Sequence, residues 1–183
     1  MYYVYIARGR CASLGGPKVV YEYANHLALR GHSVSIVHPA RLRAKWINRA
    51  RALVRYPQRS IDGSYRPDRW FKVNSSVRLI WTWSLAERCI PDSDVVVATS
   101  WETAEFVNHY SRVEGRPFYL IQHWETWEGH EERVCATWKM PLKKIVIAQW
   151  LKDIADGMGE SSTLIPNGLD FHRFGMDVPP QER

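Results

Sequence analysis

Short apolar runs rich in β-branched and aromatic residues alternate along the chain with longer segments of helical periodicity. Alternation of this kind is typical of strands in a parallel sheet that are connected by helices. The pattern predicts helices at 17–30, 102–112, 131–139 and 149–158. It predicts strands at 2–7, 33–37, 77–82, 94–99, 118–122, 144–148 and 163–165. We therefore expect an α/β fold, a single Rossmann-like domain with a doubly wound parallel sheet.

Two residues mark the ends of the first predicted helix. Pro17 suits the first helical position, where an amide hydrogen would have no partner. Gly31 suits the left-handed residue that commonly follows a helix. Residues 60–74 are the least periodic stretch, and we expect a loop there.

Length and composition fit one domain with its own core, since the chain has 183 residues of which 45% are hydrophobic. Cys11, Cys89 and Cys135 are odd in number and widely spaced, which argues against a disulfide framework or a structural zinc site. No apolar run approaches the ~20 residues of a membrane-spanning helix. The first residues read as a strand rather than a secretory signal. These features predict a cytoplasmic domain.

The loop before the first predicted helix ends in the adjacent glycines Gly15 and Gly16. Adjacent glycines at a helix start let a phosphate approach the backbone, and the free amides favour an anion. The spacing is not the G-x-G-x-x-G of dinucleotide-binding proteins, and Val37-His38-Pro39 stands where an NAD-binding fold needs an acid. An NAD-dependent oxidoreductase is therefore disfavoured. A simple tight turn at Gly15-Gly16 remains an alternative.

The most specific motif is the segment 164–174, which reads Leu-Ile-Pro-Asn-Gly-Leu-Asp-Phe-His-Arg-Phe. It resembles the crossover that leads out of the first domain of family 4 retaining glycosyltransferases, which have the two-domain GT-B architecture. The segments 119–126 and 141–147 are similar to those of members that build bacterial surface polysaccharides. The resemblance implies that residues 1–166 form the acceptor-side Rossmann-like domain. Residues 167–183 would then begin a linker to a C-terminal donor-binding domain that this chain lacks.

The resemblance also implies an activity. The reaction would be transfer of a sugar from a nucleoside-diphosphate sugar to a glycan or lipid-linked acceptor, with retention at the anomeric carbon. No cofactor or metal would be required. The family's paired-glutamate donor motif has no counterpart here, so the chain alone would be inactive. The alternative is a non-catalytic carbohydrate- or nucleotide-binding Rossmann module, or one subunit of a split glycosyltransferase.

Individual residues take roles from the same resemblance. Gly15 and Gly16 correspond to glycines that lie against the diphosphate and sugar of the donor. His123 corresponds to a histidine that contacts the transferred sugar, which makes it the catalytic candidate. A histidine at a strand end is otherwise more often a structural residue.

Aromatic and acidic residues follow two of the predicted strands in pairs, and the chain has nine tryptophans in all. Trp101 precedes Glu102, and Trp124 precedes Glu125. Indole faces pack well against the C–H faces of a pyranose, and carboxylates bind sugar hydroxyls. We expect these four residues to include acceptor-binding groups, although an acid such as Glu102 is also favoured by the start of a helix.

Two metal-like patterns are decoys. Asp92-Ser93-Asp94 matches the D-x-D signature of metal-dependent glycosyltransferases, but it precedes an apolar strand instead of following one and reads as a turn. The histidines and glutamates between 123 and 132 contain no H-E-x-x-H spacing. We expect no metal site.

The net charge of +6 comes from one segment, because residues 41–61 hold seven basic residues and no acid. A helix over 41–55 would place apolar residues on one side and most of the bases on the other. Arg43, Lys45, Trp46 and Arg49 would then face an anionic membrane surface. This predicts peripheral binding at the inner face of the cell membrane, with solvated arginines on an ordinary core helix as the alternative. No nucleic-acid-binding motif accompanies the bases.

Overall fold

The computed structural model describes residues 1–7, 15–42, 53, 56–111, 115–126 and 130–168. Seven strands form one sheet: β1 (Tyr2–Ile6), β2 (Ser33–Pro39), β3 (Val77–Thr82), β4 (Val95–Ala98), β5 (Arg116–Ile121), β6 (Lys143–Val146) and β7 (Ser162–Leu164). The order is β3-β2-β1-β4-β5-β6-β7 and all neighbours are parallel. This confirms the predicted α/β, Rossmann-like doubly wound fold.

Helices connect these strands on both faces of the sheet. They are α1 (Gly15–Leu29), α2 (described at 56–62), α3 (Trp101–Val107), α4 (Glu131–Trp138) and α5 (Gln149–Gly157), with a short 3-10 helix at Glu87–Cys89. Helix α1 begins two residues before its predicted start, and α3 ends at Val107 instead of 112. Helix α2 overlaps the predicted loop at 60–74, so that prediction was wrong over its first residues.

Side chains of β1 alternate between two cores, as the period of a strand requires. Val4 and Ile6 pack with the buried residues of α3, α4 and α5, including Trp101 and Trp138. Tyr5 points to the other face and packs with the buried residues of α1. Helix α1 therefore packs on one face of the sheet, and α3, α4 and α5 pack on the other.

The predicted end of α1 is confirmed. Gly31 has a φ of 82°, a conformation that costs side chains about 1–2 kcal/mol and glycine little. Its amide donates to the carbonyl of Ala28 at 3.0 Å, and the amide of His32 donates to that of Leu27 at 3.1 Å. These bonds satisfy carbonyls that the end of a helix leaves without partners.

An aromatic cluster holds α2 and the segment that follows it against β3, a border strand of the sheet. The rings of Tyr56 and Tyr65 both stack on Trp81 of β3, at centroid distances of 6.1 and 5.3 Å. The Trp81 indole N–H donates to the carbonyl of Tyr56 at 3.1 Å. Tyr65 also contacts His38 of β2, at 6.1 Å. This packing holds residues that the sequence pattern left without a predicted element.

Burial of tyrosines predicts a decline of stability in alkali. Burial, with a smaller contribution from the Glu125 carboxylate, raises the pKa of Tyr119 well above its ordinary value. The unfolded chain ionises the same phenol near pH 10, so its protonated burial stabilises the fold fully below about pH 10 and progressively less above it. In urea unfolding between about pH 9 and 11, Tyr119→Phe should reduce the decline by up to about 1.4 kcal/mol per pH unit. Parallel curves for the two proteins would contradict this.

Candidate functional site

The carboxyl edge of the sheet brings together two of the predicted site segments. Helix α1 lies between β1 and β2 along the chain and starts at Gly15, and Gln122 and His123 follow β5. A β-carbon built on Gly16 would lie 3.7 Å from the side-chain amide of Gln122. The glycine pair and the end of β5 are therefore neighbours, at the position where open parallel sheets bind their ligands.

Within the described part of the chain, neither backbone conformation nor packing requires glycine at positions 15 and 16. Gly15 and Gly16 lack a positive φ, since the glycines of the described chain with that conformation are Gly31, Gly63 and Gly159. Among the described residues, a β-carbon on Gly15 would meet no atom within 4 Å, and one on Gly16 would make only ordinary van der Waals contact with Gln122. Glycine in a helix costs about 0.8–1 kcal/mol relative to alanine. Backbone geometry and packing thus give no reason for this pair.

His123 is exposed and oriented by two contacts. Its Nδ1 lies 3.1 Å from the carbonyl oxygen of Trp124. Because a carbonyl oxygen can only accept, Nδ1 carries the proton of the neutral ring and Nε2 is the acceptor nitrogen. The imidazole also packs edge-to-face against Trp150, with ring centroids 5.4 Å apart and planes at 73°.

The predicted acceptor group separates into buried and accessible residues. Trp101 is 1% exposed and Glu102 is 6% exposed, so both lie beneath the surface at the start of α3. Side chains buried to this extent offer little surface to a ligand, and acceptor binding by these two residues stays a prediction. Trp101 instead contacts His130 and lies under the Arg133 guanidinium, with centroid distances of 5.6 and 4.9 Å.

Trp124 and Glu125 are half-buried and have structural partners. Trp124 packs edge-to-face on the fully buried Trp138 at 5.0 Å. A Glu125 carboxylate oxygen accepts a hydrogen bond from the Trp101 amide at 2.9 Å. An acid at this position also interacts favourably with the dipole of α3. The Glu125 carboxylate therefore ties the loop after β5 to α3.

The two decoy patterns can be located in the structure. Residues 92–94 lead into β4, and an Asp94 carboxylate oxygen accepts from the Tyr2 amide at 2.7 Å. They therefore lie at the amino edge, opposite Gly15 and His123, in the connection that leads into β4. Within the described ranges, no group of three or more His, Cys, Asp or Glu could hold a metal ion.

Several predictions fall outside the described residues. Arg43, Lys45, Trp46 and Arg49 belong to the undescribed residues 43–52, and the crossover is described only as far as Gly168. No helix in the part of the chain that the structure describes is long and apolar enough to cross a membrane.

Sequence reasoning missed Gln122 and Trp150 as residues of the carboxyl edge. Gln122 stood inside a predicted strand, where its position against Gly16 has no sequence signal. Trp150 did have a sequence signal. The apolar face of the predicted helix 149–158 begins with Leu151, and Trp150 stands one residue before it, which indicates a tryptophan outside the buried face. No family model matches the chain, and no curated protein sequence matches it.

Proposed function

We propose that this chain is the acceptor-side half of a retaining glycosyltransferase. It would act with a donor-binding domain to move a sugar from a nucleoside-diphosphate sugar to a glycan or lipid-linked acceptor. The observation that carries the proposal is the glycine pair at the carboxyl edge. Gly15 and Gly16 start α1 beside Gln122, yet neither φ nor packing against the described residues requires glycine there.

A ligand that must approach the backbone closely supplies the missing reason for this pair. The first amides of a helix have no partner within the helix, and they point toward its N-terminal end. A diphosphate there would accept hydrogen bonds from them and would interact favourably with the helix dipole. A side chain at either position would keep the phosphate oxygens at a greater distance.

His123 occupies the adjacent position in this arrangement. Its Nε2 is the acceptor nitrogen of the neutral ring, so it can accept a hydrogen bond from a sugar hydroxyl. The resulting dipole would lie beside the anomeric carbon as positive charge develops there. His123 thus steadies the transferred sugar, and no proton transfer by the imidazole is required.

Alanine at position 15 separates ligand binding from stability. We expect Gly15→Ala to change the free energy of unfolding by less than about 1 kcal/mol, because Gly15 is the first residue of α1 and the new methyl meets no atom of the described residues within 4 Å. The same methyl should weaken binding of UDP-glucose or GDP-mannose at least about fivefold, through steric conflict with the diphosphate. Urea unfolding and NMR titration of the chain measure the two quantities.

Gly157→Ala is the matched control, because it is also a helical glycine with no neighbour within 4 Å. It should leave binding unchanged. In the unmodified chain, amide signals of Gly15, Gly16 and Gln122 and ring signals of His123 should move with the nucleotide sugars. Tight binding of NAD, or no response to either nucleotide sugar, would overturn the proposal. If the natural protein binds a nucleotide sugar but transfers no sugar to an acceptor, the alternative of a non-catalytic binding module is favoured.

A further inference from the structure

The carboxyl edge also carries an exposed tryptophan to which the proposed function gives no role. Trp150 is the second residue of α5, and 45% of its surface is exposed. Trp101 and Trp138, by contrast, are 1% and 0% exposed. Among the large apolar side chains that are exposed in the described part of the chain, Trp150 is the only aromatic one.

Packing of α5 does not account for this residue. The helix buries Leu151 and Ala155, and Ile154 and Met158 pack against the same core. Trp150 lies one position before this face, on the side that turns toward solvent. A single exposed apolar residue is common on protein surfaces. Its location beside His123 is what distinguishes Trp150.

Trp150 and His123 form a corner of two exposed rings. Strands β5 and β6 are neighbours, with Ile121 paired to Val146, so the residues that follow them emerge side by side. The ring centroids are 5.4 Å apart and the ring planes meet at 73°. Gln122 connects this corner to Gly16. The corner therefore joins an apolar ring face to hydrogen-bonding groups.

We propose that Trp150 is the stacking platform for a pyranose ring bound at His123, an inference that rests on the proposed function. The C–H face of the pyranose would cover the indole, and its hydroxyls would reach the imidazole Nε2 and the Gln122 amide. Aromatic rings recognise such a face because it is apolar while the rim of the sugar is polar. The pyranose can belong to the donor or to the acceptor.

Fluorine NMR of the chain labelled with 5-fluorotryptophan tests the platform directly. The signal lost in Trp150→Phe identifies the residue. We expect this signal to move with methyl glycosides if the platform takes the acceptor sugar, or with UDP-glucose if it takes the donor sugar. UDP alone should leave it unchanged. Trp150→Ala should weaken binding of whichever sugar moves the signal by about five- to tenfold, and Trp150→Phe should weaken it by less than about threefold.

Trp83→Phe is the matched control, since Trp83 is a half-buried tryptophan that follows β3. Five strand spacings separate β3 from β6, or about 24 Å. An unchanged Trp150 signal and affinity, with His123 signals that still respond to sugar, would overturn the platform and leave the proposed function standing. A response to UDP equal to that to UDP-glucose would also overturn it. If neither the Trp150 signal nor the His123 signals respond to any of these sugars, both the platform and the proposed function are wrong.

Discussion

Gly115→Ala is expected to lower the free energy of unfolding by about 3 kcal/mol, near the upper end of the usual range for overpacking. A β-carbon on Gly115 would overlap the Ser93 carbonyl oxygen, and it would lie 2.8 Å from the carbonyl carbon of Asp94 and 2.9 Å from the Val95 nitrogen. All three atoms are backbone, so no side-chain rotation can relieve the conflict.

The strands on either side make movement costly. The amide of Arg116 donates to the Asp94 carbonyl at 2.9 Å, and β5 starts at that residue. Separation of Gly115 from residues 93–95 would break the first pairing of β4 with β5. Strain and lost hydrogen bonds therefore add.

Urea denaturation followed by circular dichroism measures this effect. Gly157→Ala again provides the control, because its β-carbon meets no atom within 4 Å and should stabilise α5 by up to about 1 kcal/mol. Equal unfolding midpoints for Gly115→Ala and the unmodified chain would show that the backbone at residues 93–95 and 115 can shift without loss of stability.

Glu160→Gln is expected to cost about 2–3 kcal/mol, because it leaves a buried ammonium without its counter-charge. The Lys144 side chain is 4% exposed, and its Nζ donates to Glu160 at 2.9 Å and to the carbonyls of Met140 and Leu142 at 3.0 and 3.4 Å. Three acceptors match the three N–H bonds of an ammonium. The Glu160 side chain is 26% exposed, which places the expected cost below that of a fully buried pair.

The two partners should respond unequally to removal. Lys144→Met removes the buried charge and leaves a carboxylate that solvent reaches, so it should cost less than Glu160→Gln. Asp156→Asn breaks the exposed pair with Lys152 and should change stability by less than about 0.5 kcal/mol. Urea unfolding of the three variants gives the order, and a larger cost for Lys144→Met would contradict the argument.

The fold could be predicted because its determinants are local in the sequence. Apolar runs and helical periods located the seven strands and four of the helices, and Gly31 marked the end of α1. Burial of Lys144 could not be predicted, since Lys143 and Lys144 are adjacent and similar. Strand alternation exposes Lys143 and turns Lys144 inward, where Glu160 arrives from the turn after α5.

The candidate site was predictable only where a motif marked it. Gly15, Gly16 and His123 carried such signals, and the fold positions them at the same edge of the sheet. Trp101 and Glu102 follow a strand in the same way, yet the start of α3 turns both into the protein. Exposure of a residue after a strand depends on the next helix, and that information lies in tertiary packing.

The stacking of Tyr56 and Tyr65 on Trp81 has a consequence for self-association. Strand β3 is an outermost strand of the sheet, and such strands can pair with strands of other molecules. The aromatic cluster packs a segment of the chain against β3. At the other border, β7 has only three residues and offers few groups to an incoming strand. The cluster thus covers the side-chain face of β3 at one border, and β7 is short at the other, and we expect both features to limit the addition of further strands.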